Sequence, residues 1–270
     1  MNARVLFVDD EPRVLQGLEN LLFDAPDDWE LEFVESGAAA VEKLKSESYE
    51  VLVTDMRMPG MDGAELLDRA RQISPSMVRI VLSGHTEQEA AERAIVLAHE
   101  FLSKPCETDK LIETLDWAFT LGAATAPTLR KAVGALVSLP ARPDVHRRLN
   151  EMAQSDANID TLAELIASDV AMTAQLLHVA SSAFYGLGAV NDLKQAINVM
   201  GLETTCALVL SIETLRAFEV PDWFDLEYLH ADCTRITALT AELVDKELQP
   251  QAVMASMLHD VGHMVIATCF

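Results

Sequence analysis

The sequence predicts an α/β fold, a doubly wound five-stranded parallel sheet, followed by a second domain made only of helices. Three observations carry this prediction. Between residues 4 and 104, short β-branched runs alternate with segments of helical period, the pattern of strands joined by helical crossovers. A stretch of small residues, LGAATAPT at 121–128, then interrupts the pattern. Beyond it the strand signal fades, and Ala, Leu and Met recur at helical spacing. Strands separated by helices pair in parallel, because parallel neighbours need a crossover, so ligand chemistry belongs at the carboxyl ends of the strands.

The strands are read from RVLFV ending at Asp9, WELEFV, EVLVT ending at Asp55, MVRIVLS, and EFLS. Val14, Leu15, Leu18, Leu21 and Leu22 fall on one stripe of the first helix. Shorter stripes follow at Val41 and Leu44, at Leu66, Leu67 and Ala70, and at Ala90, Ala91, Ala94 and Ile95. Leu111, Ile112, Leu115, Ala118 and Phe119 make the clearest one. Two helix starts carry a capping box, Asp62 with Glu65 and Thr86 with Glu89, in which each pair satisfies backbone donors that have no partner inside the helix. These elements place the first domain at 1–121, a linker at 122–128 and the helical domain at 129–270. So short a linker lets the two domains influence one another's orientation.

In the second domain a helix over 129–138 stops at Pro140, another spans 144–154, and Asp160 or Thr161 caps a third. Met172, Leu176, Leu177, Val179, Ala180 and Ala183 mark a broadly buried helix. Further helices cover 193–200, closed by Gly201 at the C′ position, then 203–218 and 226–243. The final run, HMVIATCF, stops inside an apolar helical pattern without a cap or polar tail, so this domain is expected to be incomplete at its C-terminus.

Of the 270 residues 50% are hydrophobic, enough to bury a core over most of the length. Asp and Glu number 43 against 20 Lys and Arg, a formal net charge of −23, which weighs against a nucleic-acid partner because phosphate contacts need Lys and Arg in excess. Cys106, Cys206, Cys233 and Cys269 lie far apart and form no C-x-x-C pair, so a reducing compartment suits them better than a disulfide framework. The N-terminus runs directly into a strand, and no uninterrupted apolar run reaches membrane-spanning length. A cytoplasmic protein is expected, without membrane insertion and without DNA as a partner.

What converges at the strand ends suggests the chemistry. The first strand stops at Asp9-Asp10, the third at Asp55, the fourth at Ser83-Gly84 and the fifth at Lys104-Pro105. Carboxylates about 4 Å apart repel by about 4 kcal/mol at an effective dielectric of about 20, so the cluster calls for a cation. Mg²⁺, which takes oxygen ligands and keeps several waters, fits. Asp55 is the natural nucleophile toward a phosphoryl group, with Asp10 and Asp55 holding the metal directly and Asp9 acting through water. Lys104 balances the remaining charge, and Ser83 can donate to a phosphoryl oxygen.

VDDEP, VTDMRMPGMDG, LSGHT and FLSKP, in that order over the first domain, resemble the receiver domain of bacterial two-component response regulators, a flavodoxin-like fold. The resemblance implies that Asp55 is the phospho-acceptor, Ser83 the switch hydroxyl, and Phe101 the aromatic side chain that changes rotamer with it. It makes the backbone carbonyl of Arg57 a third protein ligand to Mg²⁺. It also implies a sensor histidine kinase or phosphotransfer protein as donor, and a change of shape on the face formed by the fourth helix, fifth strand and fifth helix. Trp117 on that fifth helix either transmits the change or simply packs. Arg57 and His85 flank the acceptor and are read as exposed loop residues in preference to tuners of phosphoryl lifetime.

LVSLPARP, IASDVAMTAQLLHVASSAFYGL, AINVMGLETTCALVL and SMLHDVGHMV resemble the HDOD domain, a mostly non-catalytic relative of the HD phosphohydrolases. One departure is Ala180-Ser181-Ser182, where the family commonly has Asn-Ser after an Ala. The resemblance implies an output by protein–protein interaction, with another signalling protein or a second copy of the chain as partner. HD phosphohydrolases bind metal through a histidine, a His-Asp pair and a later aspartate. His230, His259 and Asp260 match the first three, but no acidic residue follows Asp260, so a complete two-metal site cannot be assembled. Two readings of the set stand side by side: a hydrogen-bonded core clasp, which is preferred, and a three-ligand site for a second metal. His263 can join either one. The metal reading carries the alternative function, a phosphorylation-gated, metal-dependent phosphohydrolase or cyclic-dinucleotide phosphodiesterase. His178 is read as a core or groove histidine, and Cys206 and Cys233 as packing.

Overall fold

The computed structural model describes residues 3–26, 28–84, 94, 97–124, 126–135, 143–153, 158–181, 190, 192–213, 221, 223–246 and 248–269. The chain divides into two compact units, Met1–Ala135 and Leu136–Phe270. The first runs β1 (Ala3–Val8), α1 (Pro12–Leu21), β2 (Trp29–Val34), α2 (Gly37–Ser46), β3 (Val51–Asp55), α3 (Gly63–Ile73), β4 (Val78–Ser83), β5 (Glu100–Ser103), α4 (Thr108–Ala124) and α5 (Pro127–Ala135). All five strands pair in parallel in the order β2-β1-β3-β4-β5. The chain leaves β1 toward β2 on one side and continues through β3 on the other. The strand order therefore reverses between β1 and β3, the crevice where ligands bind in such sheets.

Both faces of the sheet are covered, so the central strands read as continuous apolar runs: Val5, Leu6 and Phe7 are fully buried, and all five residues of β3 are buried. On one face Leu15 and Leu18 of α1 and Leu111 and Leu115 of α4 share a core with Phe7 and Val53. Successive strand residues point to opposite faces, which leaves Leu6 and Leu52 for the side opposite that core. Ser36 caps α2 by accepting from Ala39 N–H at 3.3 Å, and Asp62 caps α3 by accepting from Glu65 N–H at 2.9 Å, each worth about 1 kcal/mol. The second predicted capping box, Thr86 with Glu89, lies outside the described residues.

The stretch read as a linker is mostly helical. Helix α4 continues through Ala124 and α5 begins at Pro127, because Ala is the strongest helix former and Pro suits a first turn. Helix α5 belongs to the first unit and approaches the end of α3 closely: a Cβ on Gly134 would lie 1.7 Å from the carbonyl oxygen of Pro75. Beneath it Arg79 of β4 is only 2% exposed. Its guanidinium donates to the carbonyls of Leu97 (2.7 Å), Met77 (3.1 Å) and Gly134 (3.1 Å), and burial pushes its pKa down to about 10. Backbone oxygens thus take the place of a counter-ion in fixing where α5 sits.

The second unit contains, among the described residues, α6 (Pro143–Ala153), α7 (Ile159–Ala167), α8 (Val170–Ala180), α9 (Leu193–Met200), α10 (Leu202–Glu213), α11 (Leu226–Leu243), α12 (Gln249–Leu258) and α13 (Val261–Cys269). Helix α7 starts earlier than expected: Asn158, not Asp160 or Thr161, is the cap and accepts from Thr161 N–H at 2.8 Å. Asp160 falls in the first turn, where a negative charge suits the helix dipole. Asp169, Asp192 and Asp225 cap α8, α9 and α11. Gly201 closes α9 at φ +84°, a conformation that favours glycine. Val170 and Ala171 of α8 pack with Leu229 and Cys233 of α11, Met257 of α12 and Met264 of α13. By length and composition the stretch Gln251–Cys269 is apolar enough to cross a membrane, although His259, Asp260 and His263 interrupt it at the α12–α13 turn.

Candidate functional site

Parallel register builds the site at the sheet's carboxyl edge. Val8 pairs with Thr54, so the next residues, Asp9 and Asp55, emerge side by side where the strand order reverses. Both are nearly buried, at 2% and 5% exposure. Lys104, one residue past β5, reaches across the edge and donates from Nζ to Asp9 Oδ2 at 2.6 Å and to Asp55 Oδ1. The other oxygens accept backbone donors: Asp55 Oδ2 from Arg57 N–H at 2.7 Å, and Asp9 Oδ1 from Glu11 N–H at 2.9 Å. Every carboxylate oxygen of the pair is therefore hydrogen-bonded, which is what lets two acids lie buried side by side.

Two neighbours that sequence patterns did not single out hold Asp55 in place. Thr54, fully buried, donates its hydroxyl to the carbonyl of Asp55 at 2.9 Å. Gly63, at the start of α3, lies so close that a Cβ there would sit 2.4 Å from that same carbonyl oxygen. A glycine at a helix start after an Asp cap was the available signal, but nothing in the sequence says which backbone it must approach.

Burial pushes the Asp55 carboxyl above its usual range; Lys104 acts in the opposite direction, and the charge of Asp9 adds to the rise. For Lys104, burial opposes the charge, but the hydrogen bonds to Asp55 and Asp9 outweigh it and hold the ammonium above its usual range. Asp10 is half-buried beside Asp9. Three carboxylates against one ammonium leave an excess of negative charge on oxygen-only donors, and that donor set fits Mg²⁺.

The remaining predicted residues fall as follows. Ser83 ends β4 one residue beyond Leu82, the partner of Asp55, and pairs in register with Ser103; its side chain lies outside the described residues, as does all of His85. Phe101 is 2% exposed in β5 and pairs with Val81. Arg57 is exposed and contributes its backbone N–H to Asp55. Trp117 is 46% exposed on α4.

In the second unit the structure joins two of the three predicted HD-like residues. His259 Nε2 lies 3.2 Å from Asp260 Oδ2, and His263 Nδ1 lies 3.2 Å from Asp260 Oδ1. His230 is 3% exposed, its Nδ1 accepts the N–H of Val170 at the start of α8 at 3.4 Å, and it is not a member of the compact group that contains His259 and Asp260. The side chain that completes a compact group with His259 and Asp260 is Cys233, which sequence reasoning assigned to packing. His178 is exposed, and Cys206 is buried as expected.

Comparison with known proteins agrees with this division. Residues 5–116 match the family described as response regulator receiver domain, and residues 139–270 match the HDOD domain. The chain is 33% identical over 120 residues to the uncharacterized transcriptional regulatory protein YesN of Bacillus subtilis (strain 168), a match covering 42% of this chain and 31% of that one. It is 32% identical over 161 residues to the transcriptional regulatory protein GlrR of Escherichia coli (strain K12), covering 58% and 35%. It thus spans well under half the length of either relative. Among solved structures, the signal receiver domain of an HD domain-containing protein from Pseudomonas fluorescens Pf-5 is 29% identical, covers 46% of this chain and 100% of that chain, and has a TM-score of 0.44.

Proposed function

We propose that this chain, which carries a response regulator receiver domain at 5–116 and an HDOD domain at 139–270, is a phosphorylation-dependent response regulator with Asp55 as its acceptor. The observation that carries the reading is the buried Asp55 carboxylate, held by Lys104 and Arg57 N–H beside Asp9 where the strand order reverses.

The donor is a phosphohistidine on a sensor kinase or phosphotransfer protein. An oxygen of Asp55 forms the new P–O bond, the P–N bond breaks, and the imidazole leaves with the electron pair; water later hydrolyses the acyl phosphate. Asp10, Asp55 and the Arg57 carbonyl, with Asp9 through water, would hold Mg²⁺, which when bound neutralises phosphoryl oxygens. Lys104 is already poised at the acceptor, and the phosphoryl oxygens offer it a stronger partner than Asp55 alone. The Ser83 hydroxyl and the Phe101 ring then move as the switch pair.

The HDOD domain acts by binding another signalling protein or a second copy of the chain. In sequence the bases of this half are outnumbered by its acids, which weighs against DNA as its partner. Transcriptional regulation is what the names of YesN and GlrR say of those proteins. The four free thiols suit the cytoplasm. The phosphohydrolase alternative needs His230 grouped with His259 and Asp260, and among the described residues the compact group contains Cys233 in its place.

Incubation with acetyl phosphate and Mg²⁺ tests the reading. One phosphoryl group per chain is expected on the native protein and none on Asp55→Asn; undiminished labelling of the variant contradicts it.

A further inference from the structure

The turn between α12 and α13 sets two side chains against α11. Cys233 Sγ, a ring nitrogen of His259 and a carboxylate oxygen of Asp260 all lie within 4.8 Å of one another. We propose that Cys233, His259 and Asp260 form a binding site for a thiophilic divalent metal of the zinc type, separate from the carboxylate cluster of the first unit.

Geometry carries the argument. The carbonyl oxygen of Ser256 can only accept, so His259 Nδ1, 2.7 Å away, donates its N–H to it. That anchor turns the opposite ring nitrogen, Nε2, toward Asp260 Oδ2, at 3.2 Å. The spacing matches the edge, about 3.3 Å, of a tetrahedron with metal–ligand bonds of about 2.0–2.1 Å. An imidazole that donates its other N–H to a backbone carbonyl is also the arrangement that orients metal-binding histidines.

The surroundings agree. His263 meets the other oxygen of Asp260 at 3.2 Å and so fixes that carboxylate as a positioning residue. Cys233 is 1% exposed within the apolar cluster of Leu229, Met257 and Met264. Burial first, and then the charges of Asp260 and Asp232, push its thiol up, so it keeps its proton until a metal displaces it. One thiolate and one carboxylate neutralise a divalent ion. Sulfur and imidazole donors suit Zn²⁺ over Mg²⁺ or Ca²⁺. His259 and Asp260, with side chains 35% and 25% exposed, open the group to solvent and leave a fourth position for water or a ligand atom.

The inference does not depend on phosphorylation of Asp55, and a cobalt titration of the metal-free full-length chain tests it. One equivalent of Co²⁺ is expected to give tetrahedral d–d bands together with a thiolate-to-cobalt charge-transfer band, both bleached by Zn²⁺. The oxygen-only cluster at Asp55 cannot produce the sulfur band. Cys233→Ser abolishes that band, Asp260→Asn weakens binding at least tenfold, and Cys206→Ser changes neither, with circular dichroism reporting that each variant is folded. Absence of a sulfur band in the native protein, or its persistence in folded Cys233→Ser, overturns the proposal.

Discussion

Two clusters of polar side chains, one at strand ends and one at helix ends, differ in what puts their members together. Asp9 and Asp55 are neighbours because β1 and β3 are locked in hydrogen-bonded register, which admits no partial slip. Cys233, His259 and Asp260 meet because α11, α12 and α13 are rotated by side-chain packing, which has no such ratchet. His230 and Cys233 are three residues apart on α11, adjacent on one helix face, and a modest rotation decides which of them joins the group. Backbone pairing makes a site that tolerates little; helix packing makes one that can exchange a ligand for its neighbour.

The largest effect is expected where that tolerance is lowest. Lys104→Met leaves two buried carboxylates facing each other and is predicted to cost about 2–4 kcal/mol at neutral pH, a little under the range for a fully buried pair because Lys104 is 25% exposed. The deficit has a definite pH dependence. Burial raises the folded-state pKa of Asp55, so its charge opposes folding at neutral pH, and that opposition fades as pH falls through the raised value. The variant should therefore recover relative to the native chain on mild acidification, read by urea midpoints at several pH values. In the native chain, the stability from Lys104 is fully present below 10.5 and is lost only as pH rises through its higher folded-state value.

Next come two glycines. Gly63→Ala forces a Cβ to 2.4 Å from the Asp55 carbonyl, so α3 must shift, at a cost of about 1–3 kcal/mol and with slower acetyl-phosphate labelling. In the second unit Gly262 has nothing within 4 Å of where a Cβ would lie, so Gly262→Ala is expected to stabilise, by about 0.5–1 kcal/mol. Thermal unfolding measures both; a destabilised Gly262→Ala would show that the helical unit is as tightly constrained as the sheet. Between these in size, His263→Ala should weaken cobalt binding about 10-fold by releasing Asp260, without removing the sulfur band.

The same contrast explains what could be read in the sequence. Strand ends fix where Asp9, Asp55 and Lys104 go, so a run such as EVLVTD was enough to place Asp55 at the sheet's carboxyl edge with Asp9 and Lys104. Arg79 was illegible: in MVRIVLS it resembles an outward-facing polar residue, and two of the carbonyls that satisfy its guanidinium come from the distant residues Gly134 and Leu97. The stretch LGAATAPT, read as a linker from its small residues, is mostly helical because Ala propagates helix. Asn158 was missed as a cap because Asp160 and Thr161 carry the same chemistry two and three residues on. Cys233 could not be told from a packing residue, since its partners come from a turn 26 residues away that the helical pattern does not orient.

The most direct test is to locate the phosphoryl group. Borohydride converts an aspartyl phosphate to homoserine, so reducing the acetyl-phosphate-treated chain and sequencing its peptides by mass spectrometry shows which side chain was modified. Homoserine at position 55 alone is the predicted result. Modification at another carboxylate with Asp55 intact, or none with Mg²⁺ present, would contradict the account.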